Sequence, residues 1–266
     1  MPAVAGRFYP ANPVRLATDL DGYLFPESSK RASAAVACLV PHAGYVYSGH
    51  VAGAVYRTLP ACSTFVVIGP NHFGRGAPLA LMGHGVWRTP LGDAVINRDL
   101  ARMIQSHCAG MAEDAFAHAA EHSLEVQIPF LQRRMADFSF VPIAVASTEF
   151  HTLVELGHGV ALALHEFAAP VIVIASSDLN HYEPDSVTRA KDAKAIERIL
   201  AVDAQGLYDV VRKKNISMCG VGAAVATITA MKDLGATRAV LEKYATSADA
   251  GGQPEAVVGY AGIVVH

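Results

Sequence analysis

Residues 34–45 read AAVACLVPHAGY, and the change of character within this stretch sets the expected fold. The first seven positions are apolar and rich in β-compatible side chains. Pro41 stops the run because it has no backbone N–H to give to a ladder, and Gly44 lets the chain turn just beyond. The simplest local structure is a buried strand that carries His42 at its tip. The same design recurs as TFVVIGPNH over residues 64–72 and as VIVIASSDLNH over residues 171–181. If these three strands are neighbours in one sheet, their tips bring His42, His72 and His181 together.

The composition allows such an arrangement and narrows its setting. The chain has 266 residues, long enough for one large α/β domain. Hydrophobic residues make up 52% and charged residues 17%, with a mean hydropathy of +0.28, so much of the chain belongs in an interior or an interface. That apolar content also makes a homo-oligomer an expectation. No apolar run approaches the roughly 18 residues needed to cross a bilayer. The opening MPAVAGRFYP has no basic segment followed by an apolar one, so a cytoplasmic location is expected. A formal net charge of −3 gives no electrostatic reason to expect nucleic acid or an anionic membrane as partner. The four cysteines, Cys38, Cys62, Cys108 and Cys219, form no CxxC pair and no zinc-ribbon spacing, which fits reduced thiols.

Outside the three strands, helices and strands alternate. Residues 14–24 have apolar positions at three-to-four spacing, and the segment YSGHVAGAVYRTL reads as a helix rich in small residues. GVWRTPLGDAVI reads as an irregular stretch with a fixed turn. The segment AAEHSLEVQIPFLQRRM predicts an amphipathic helix with Leu124, Ile128, Leu131 and Met135 on one face and Glu121 and His122 at its start. Pro129 kinks that helix unless it lies in the first turn. CGVGAAVATITAMKD predicts a buried helix entered through Cys219, and two apolar runs close the chain. The expected architecture is a single-domain layered α/β sandwich with a central mixed sheet, spanning residues 1–266.

In open α/β sheets, ligands bind beyond the carboxyl ends of the strands, where His42, His72 and His181 are expected. Imidazole is a common ligand for zinc, iron, copper and nickel, and two histidines with one anionic ligand leave positions open for substrate. Asp178 can be that anion or can instead hold a histidine ring. Cys219 is the other candidate, since a thiol at a helix N-terminus has its thiolate favoured by the dipole. The same residues allow a cysteine hydrolase in which His181 activates Cys219 and Asp178 orients the ring. The Gly-rich segments CGVGAA and GRGAPLA give only a weak phosphate-loop signal.

The ordered motifs PHAGYVYSG, IGPNH, WRTPLGD, EHSLEVQIPFL, SSDLNHY and MCGVGA resemble the Memo family, whose prokaryotic members are labelled AmmeMemoRadiSam system protein B. The resemblance runs from GRFYP to the final GYAGIVVH. It implies a fold similar to the class III extradiol dioxygenases, which hold iron(II) with two histidines and a glutamate. Carried onto this chain, the metal ligands are His42, His72 and Cys219, with His181 as acid/base and Asp178 beside it. Tyr45, Asn71, Glu121 and His122, by their place in the motifs, are assigned to the pocket wall or to the layer that supports the ligands from behind. A thiolate in place of the carboxylate softens the site, so copper and zinc join iron(II) as candidate metals. The resemblance implies a metal-dependent oxidoreductase acting on a small-molecule or peptide ligand, or alternatively a non-catalytic peptide- or protein-binding scaffold that keeps the dioxygenase-like pocket. It also implies a pathway association with radical-SAM and AMMECR1-domain proteins.

Overall fold

The computed structural model describes residues 2–26 and 34–266. The chain runs through α1 (Pro13–Leu24), β1 (Ala37–Val40), α2 (Tyr45–Tyr56), β2 (Thr64–Pro70), β3 (Leu79–Leu81) and the hairpin β4 (Val86–Thr89) and β5 (Gly92–Ile96). It continues with α3 (Arg98–His107), β6 (Met111–Glu113), α4 (Ile128–Arg134), β7 (Ser139–Val145), α5 (Phe150–Glu166), β8 (Ile172–Ser176) and β9 (His181–Glu183). The last elements are α6 (Asp185–Leu200), α7 (Ala204–Lys213), α8 (Val221–Asp233), β10 (Ala239–Thr246) and β11 (Val257–Val265).

Eleven strands form one mixed sheet whose main path is β10-β11-β1-β8-β2-β7-β3-β6. At its centre β1, β8, β2 and β7 are parallel neighbours. Every residue of β1, β2 and β8 is buried, as near-continuous apolar runs covered on both faces should be. Alternation along each strand then sorts side chains between two layers. Ala37, Leu39, Val66 and Ile68 pack with Leu153 of α5 and Val225 of α8. Cys38, Val40, Phe65 and Val67 pack on the other face with Leu20 of α1 and Tyr56 of α2.

Two helix pairs approach closely because glycine lets them. A Cβ on Gly157 of α5 would stand 2.6 Å from the Ala226 carbonyl of α8, and one on Gly53 of α2 would stand 2.6 Å from the Tyr23 carbonyl of α1. Among the described residues no helix is long and apolar enough to cross a membrane.

Two expected elements differ. GVWRTPLGDAVI is an antiparallel hairpin, with Val86 opposite Val95 and Thr89 opposite Gly92. Gly92 has φ 121°, which the turn requires and a side chain would disfavour. The helix expected from Glu121 onward begins only at Ile128, after a 3₁₀ turn over Glu125–Gln127. Pro129 therefore falls in the first helical turn, where its missing N–H removes no intrahelical bond. Glu121 and His122 precede the helix rather than cap it. Their conformation is set by bonds to other parts of the chain.

Candidate metal centre at the strand ends

The strand order puts β8 between β1 and β2, and the register levels their carboxyl ends: Val40 pairs with Ser176, and Ile68 with Ala175. His42, Asp178 and His72 lie only a few residues beyond these positions, so one rigid sheet delivers all three to the same crevice. His122 arrives from the segment between β6 and α4. Donor atoms of His42, His72 and His122 lie within 4.8 Å of one another.

His42 is the inner member. Its Nδ1 is 3.0 Å from Ser176 Oγ. That hydroxyl donates to the Ser123 carbonyl at 2.6 Å and accepts from Gln127 Nε2 at 2.8 Å, which leaves it a lone pair for an Nδ1–H. The partners assign the proton to Nδ1, and Nε2 keeps a lone pair for a ligand. Gln127 is itself fixed: Nε2 also donates to the Pro41 carbonyl at 3.0 Å, and Oε1 accepts from Tyr56 at 2.9 Å. Burial, with His72 and His122 adding to it, holds the His42 pKa well below its ordinary value against the opposing Glu121 charge. The ring is neutral, which is the form that ligates.

His72 follows the same logic at the solvent side of the cluster. Its Nδ1 lies 2.9 Å from Glu121 Oε1, and its backbone N–H donates to Oε2 at 2.6 Å. A carboxylate accepting Nδ1–H frees Nε2. Burial pushes the Glu121 carboxyl up, but the His72 ring and the backbone N–H groups of Ser123 and His72 outweigh it and hold the pKa at about 2. The same carboxylate is 3.5 Å from His122 Nδ1. Burial, reinforced by His72, lowers the His122 pKa. The His122 ring stacks on His72 with centroids 4.5 Å apart, and Phe8 covers it at another 4.5 Å.

Cys219 Sγ is 3.2 Å from His42 Nε2. Burial together with the Asp178 carboxyl pushes its thiol pKa up, outweighing the favourable backbone group of Gly220 at the N-cap of α8. A cation would reverse that balance. Asp178 accepts from the His42 backbone N–H at 2.7 Å, and its Oδ2 is 3.9 Å from His42 Nε2. Burial raises its carboxyl, opposed by His181 and the His42 amide. The ring in contact with the thiol is thus His42, and the thiol is protonated, so the geometry does not assemble a cysteine-hydrolase triad from Cys219, His181 and Asp178.

His181 stands apart from the three-histidine cluster. Its Nδ1 lies 2.9 Å from the Ser217 carbonyl, which can only accept, so Nδ1 carries a proton. Its backbone N–H donates to Ser217 Oγ, and Asn180 Oδ1 accepts from the Ser217 amide at 3.1 Å. Of the assigned wall residues, Asn71 donates to the Arg75 carbonyl. The Tyr45 hydroxyl is spent on the Val126 carbonyl within an aromatic group that includes Phe130.

The donor set fits a metal ion. With metal–nitrogen bonds of about 2.0–2.1 Å and bond angles between octahedral and trigonal, ligating imidazoles place their centroids roughly 4.5–5.5 Å apart. The three rings are 4.5, 5.2 and 5.4 Å apart. Two of them have an Nδ1 partner that directs Nε2 inward, as metal-bound histidines do. Ser176, Gln127 and Ser217 support the site but were not singled out from sequence. The signal for them was polar residues placed in otherwise apolar runs, such as Gln127 in EVQIPF.

A family model described as Memo-like protein matches residues 1–264. A MEMO1 family protein of Pyrobaculum arsenaticum is 45% identical over 275 residues, covering 100% of this chain and 98% of that protein. A MEMO1 family protein of Methanopyrus kandleri is 42% identical over 275 residues, covering 99% and 97%. A crystal structure of an uncharacterised Escherichia coli K12 protein matches with a TM-score of 0.54 at 14% identity, over 84% of this chain and 98% of that one, a likeness of fold alone. Full-length similarity at this level, together with the matched family model, makes the chain a member of the Memo family.

Proposed function

We propose that the protein is a metal-dependent oxidoreductase that binds one divalent ion, iron(II), copper or zinc, through His42, His72 and His122, with the Cys219 thiolate as a further ligand beside His42. The solvent-facing side of the cluster, at His72, is left for a small-molecule ligand. The observation that carries this reading is the convergence of His42, His72 and His122, whose donor atoms lie within 4.8 Å of one another, with the Cys219 thiol 3.2 Å from His42 Nε2. A bound ion supplies a Lewis acid and, if iron or copper, a route for electrons. The protein's own part is to hold and move protons. His181, its ring fixed through Ser217, serves as general base and then acid.

Anaerobic loading with each metal, followed by metal analysis and absorption spectroscopy, tests the site. One ion per chain, a thiolate-to-metal band that Cys219→Ser removes, and loss of binding in His42→Ala are expected. Equal binding by wild type and His42→Ala would overturn the reading.

One observation favours a second reading, a peptide- or protein-binding scaffold. Phe73 and Tyr182 follow directly on His72 and His181, and their side chains are 52% and 77% exposed. Peptide binding that survives chelation, with no substrate consumed, would support it. A shared pathway with radical-SAM and AMMECR1-domain proteins, a cytoplasmic location and a homo-oligomeric state belong to the same proposal.

A further inference from the structure

The backbone around His181 is irregular. Tyr182, the next residue, has φ 59°, a left-handed conformation that bulky aromatic residues rarely adopt. It is the extra residue of a bulge between β9 and β11: Val257 pairs with Glu183 and Val258 with His181, so Tyr182 has no partner across the ladder. Burial does not hold it there, since its side chain is 77% exposed. Strain of this kind persists where surrounding bonds over-determine the chain, and it gathers at functional sites.

The bonds converge on Asn180, which is fully buried. Its backbone N–H donates to Asp192 Oδ1 at 2.9 Å, and its carbonyl accepts from the Gly259 amide at 2.9 Å. Its Nδ2 donates to Glu183 Oε2 at 2.6 Å and to Thr188 Oγ1 at 3.2 Å. Hydrogen bonds from Lys191 and Asn180 hold the Glu183 carboxyl below its usual range, and an ionised carboxylate only accepts, which fixes which end of the amide is which. The other end, Oδ1, accepts from the Ser217 backbone N–H at 3.1 Å. It also lies 3.2 Å from the Ser217 hydroxyl, whose proton it shares with the His181 carbonyl at 3.3 Å. Ser217 passes the constraint on: its hydroxyl oxygen accepts the His181 backbone N–H at 2.8 Å, and its carbonyl accepts the ring Nδ1–H at 2.9 Å.

We propose that Asn180 is the positioning residue for His181. By holding the Ser217 peptide, it keeps a carbonyl at Nδ1, selects the Nδ1–H tautomer of the neutral ring and leaves Nε2 as the atom that takes up and returns a proton. This inference rests on the reading of His181 as general base and acid. Asn180 acts through Ser217 alone: among the described residues it makes no hydrogen bond to His42, His72, His122 or Cys219. An amide suits the post because it must donate to the Glu183 carboxylate at one end and accept from Ser217 at the other, which neither a carboxylate nor an apolar side chain does. The strained conformation of Tyr182 is then the cost of bringing His181 to the Ser217 carbonyl.

Ring-nitrogen NMR of the full-length protein provides the test, with the His181 signals identified as those missing from His181→Gln. With the ring neutral, wild type should show one protonated nitrogen, Nδ1, and one bare nitrogen, Nε2. In Asn180→Ala the Ser217 N–H loses its acceptor, and the two signals should shift toward each other as the tautomers mix. Thr188→Val cuts a bond at the other end of the same amide, so it should lower stability yet leave the His181 pattern in place. Ser217→Ala should also keep the pattern, because the Ser217 N–H stays on Asn180. A mixed or Nε2–H ring in wild type, an unchanged pattern in Asn180→Ala, the same shift in Thr188→Val, or a lost pattern in Ser217→Ala would each overturn the proposal. Ser217 is exposed, so its variant decides even if Asn180→Ala fails to fold. The ring signals are read with or without metal, so this proposal and the metal site can fail separately.

Discussion

Ser176 Oγ stands 3.0 Å from His42 Nδ1 and so determines which nitrogen of that ring faces the site. Ser176 is fully buried, and its hydroxyl also serves Gln127 Nε2 and the Ser123 carbonyl. Ser176→Ala leaves all three without that partner. Metal affinity should fall about 10–100-fold, as for other groups that orient a ligand from behind. Stability should fall by about 1–3 kcal/mol. Competitive metal titration and urea unfolding measure the two effects separately.

Glu121 should make the protein acid-sensitive in a defined window. Its folded pKa, about 2, lies below the ordinary value of 4.5, so its contribution to stability is complete above pH 4.5 and is lost as pH falls toward 2. The shift corresponds to about 3 kcal/mol. Glu121→Gln should be less stable than wild type at pH 6, and the gap should narrow steadily on acidification. A gap that stays constant with pH would contradict this account.

Asp192 works in the opposite sense. It is fully buried, accepting from the Asn180 amide at 2.9 Å and the Tyr244 hydroxyl at 2.7 Å, and burial outweighs these bonds to raise its pKa from 3.8 to about 6. The folded state holds the proton that the unfolded chain releases. Wild type should therefore lose about 3 kcal/mol as pH rises from 4 through 6. In Asp192→Asn that slope should be absent, which chemical denaturation at several pH values would reveal.

The glycines give a paired comparison. Gly22 in α1 has open space where a Cβ would stand, so Gly22→Ala should stabilise by about 0.5–1 kcal/mol through helix propensity. Gly157 in α5 faces the α8 carbonyl of Ala226, so Gly157→Ala should instead destabilise by about 1–3 kcal/mol as the helices are forced apart. Thermal melts should show the two variants moving in opposite directions.

The parts of the fold legible in sequence were those that local chemistry decides. Apolar runs that stop at Pro41, Pro70 and the SSD turn announced strands with histidine-bearing tips, and the structure has those strands as neighbours. Their order was not legible, because nothing local to VIVIAS says that it lies between two strands more than a hundred residues upstream. The EHSLEVQ segment misled for a related reason. Its apolar spacing suits a helix, but the Glu121 carboxylate is taken by His72 and the Ser123 hydroxyl by the Pro70 carbonyl, and these distant partners hold it outside the helix. The prominence of His122 in the cluster was hidden with it. Gln127 and Ser176 read as core positions until their side-chain bonds connected them to His42.

The central place of β8 also fixes when the site can exist during folding. His42 and His72 are synthesised early, but β1 and β2 have no ladder between them until residues 172–176 enter as the strand that bridges both. Cys219 and its helix come later still. A nascent chain therefore displays its histidines well before any cage exists to hold them. Because the pairings that build the cage are long-range and parallel, closure is a slow, late event in the path from chain to native protein. An ion that met the chain before that moment would find no preformed geometry to select it, so any choice of metal would fall to the finished sheet.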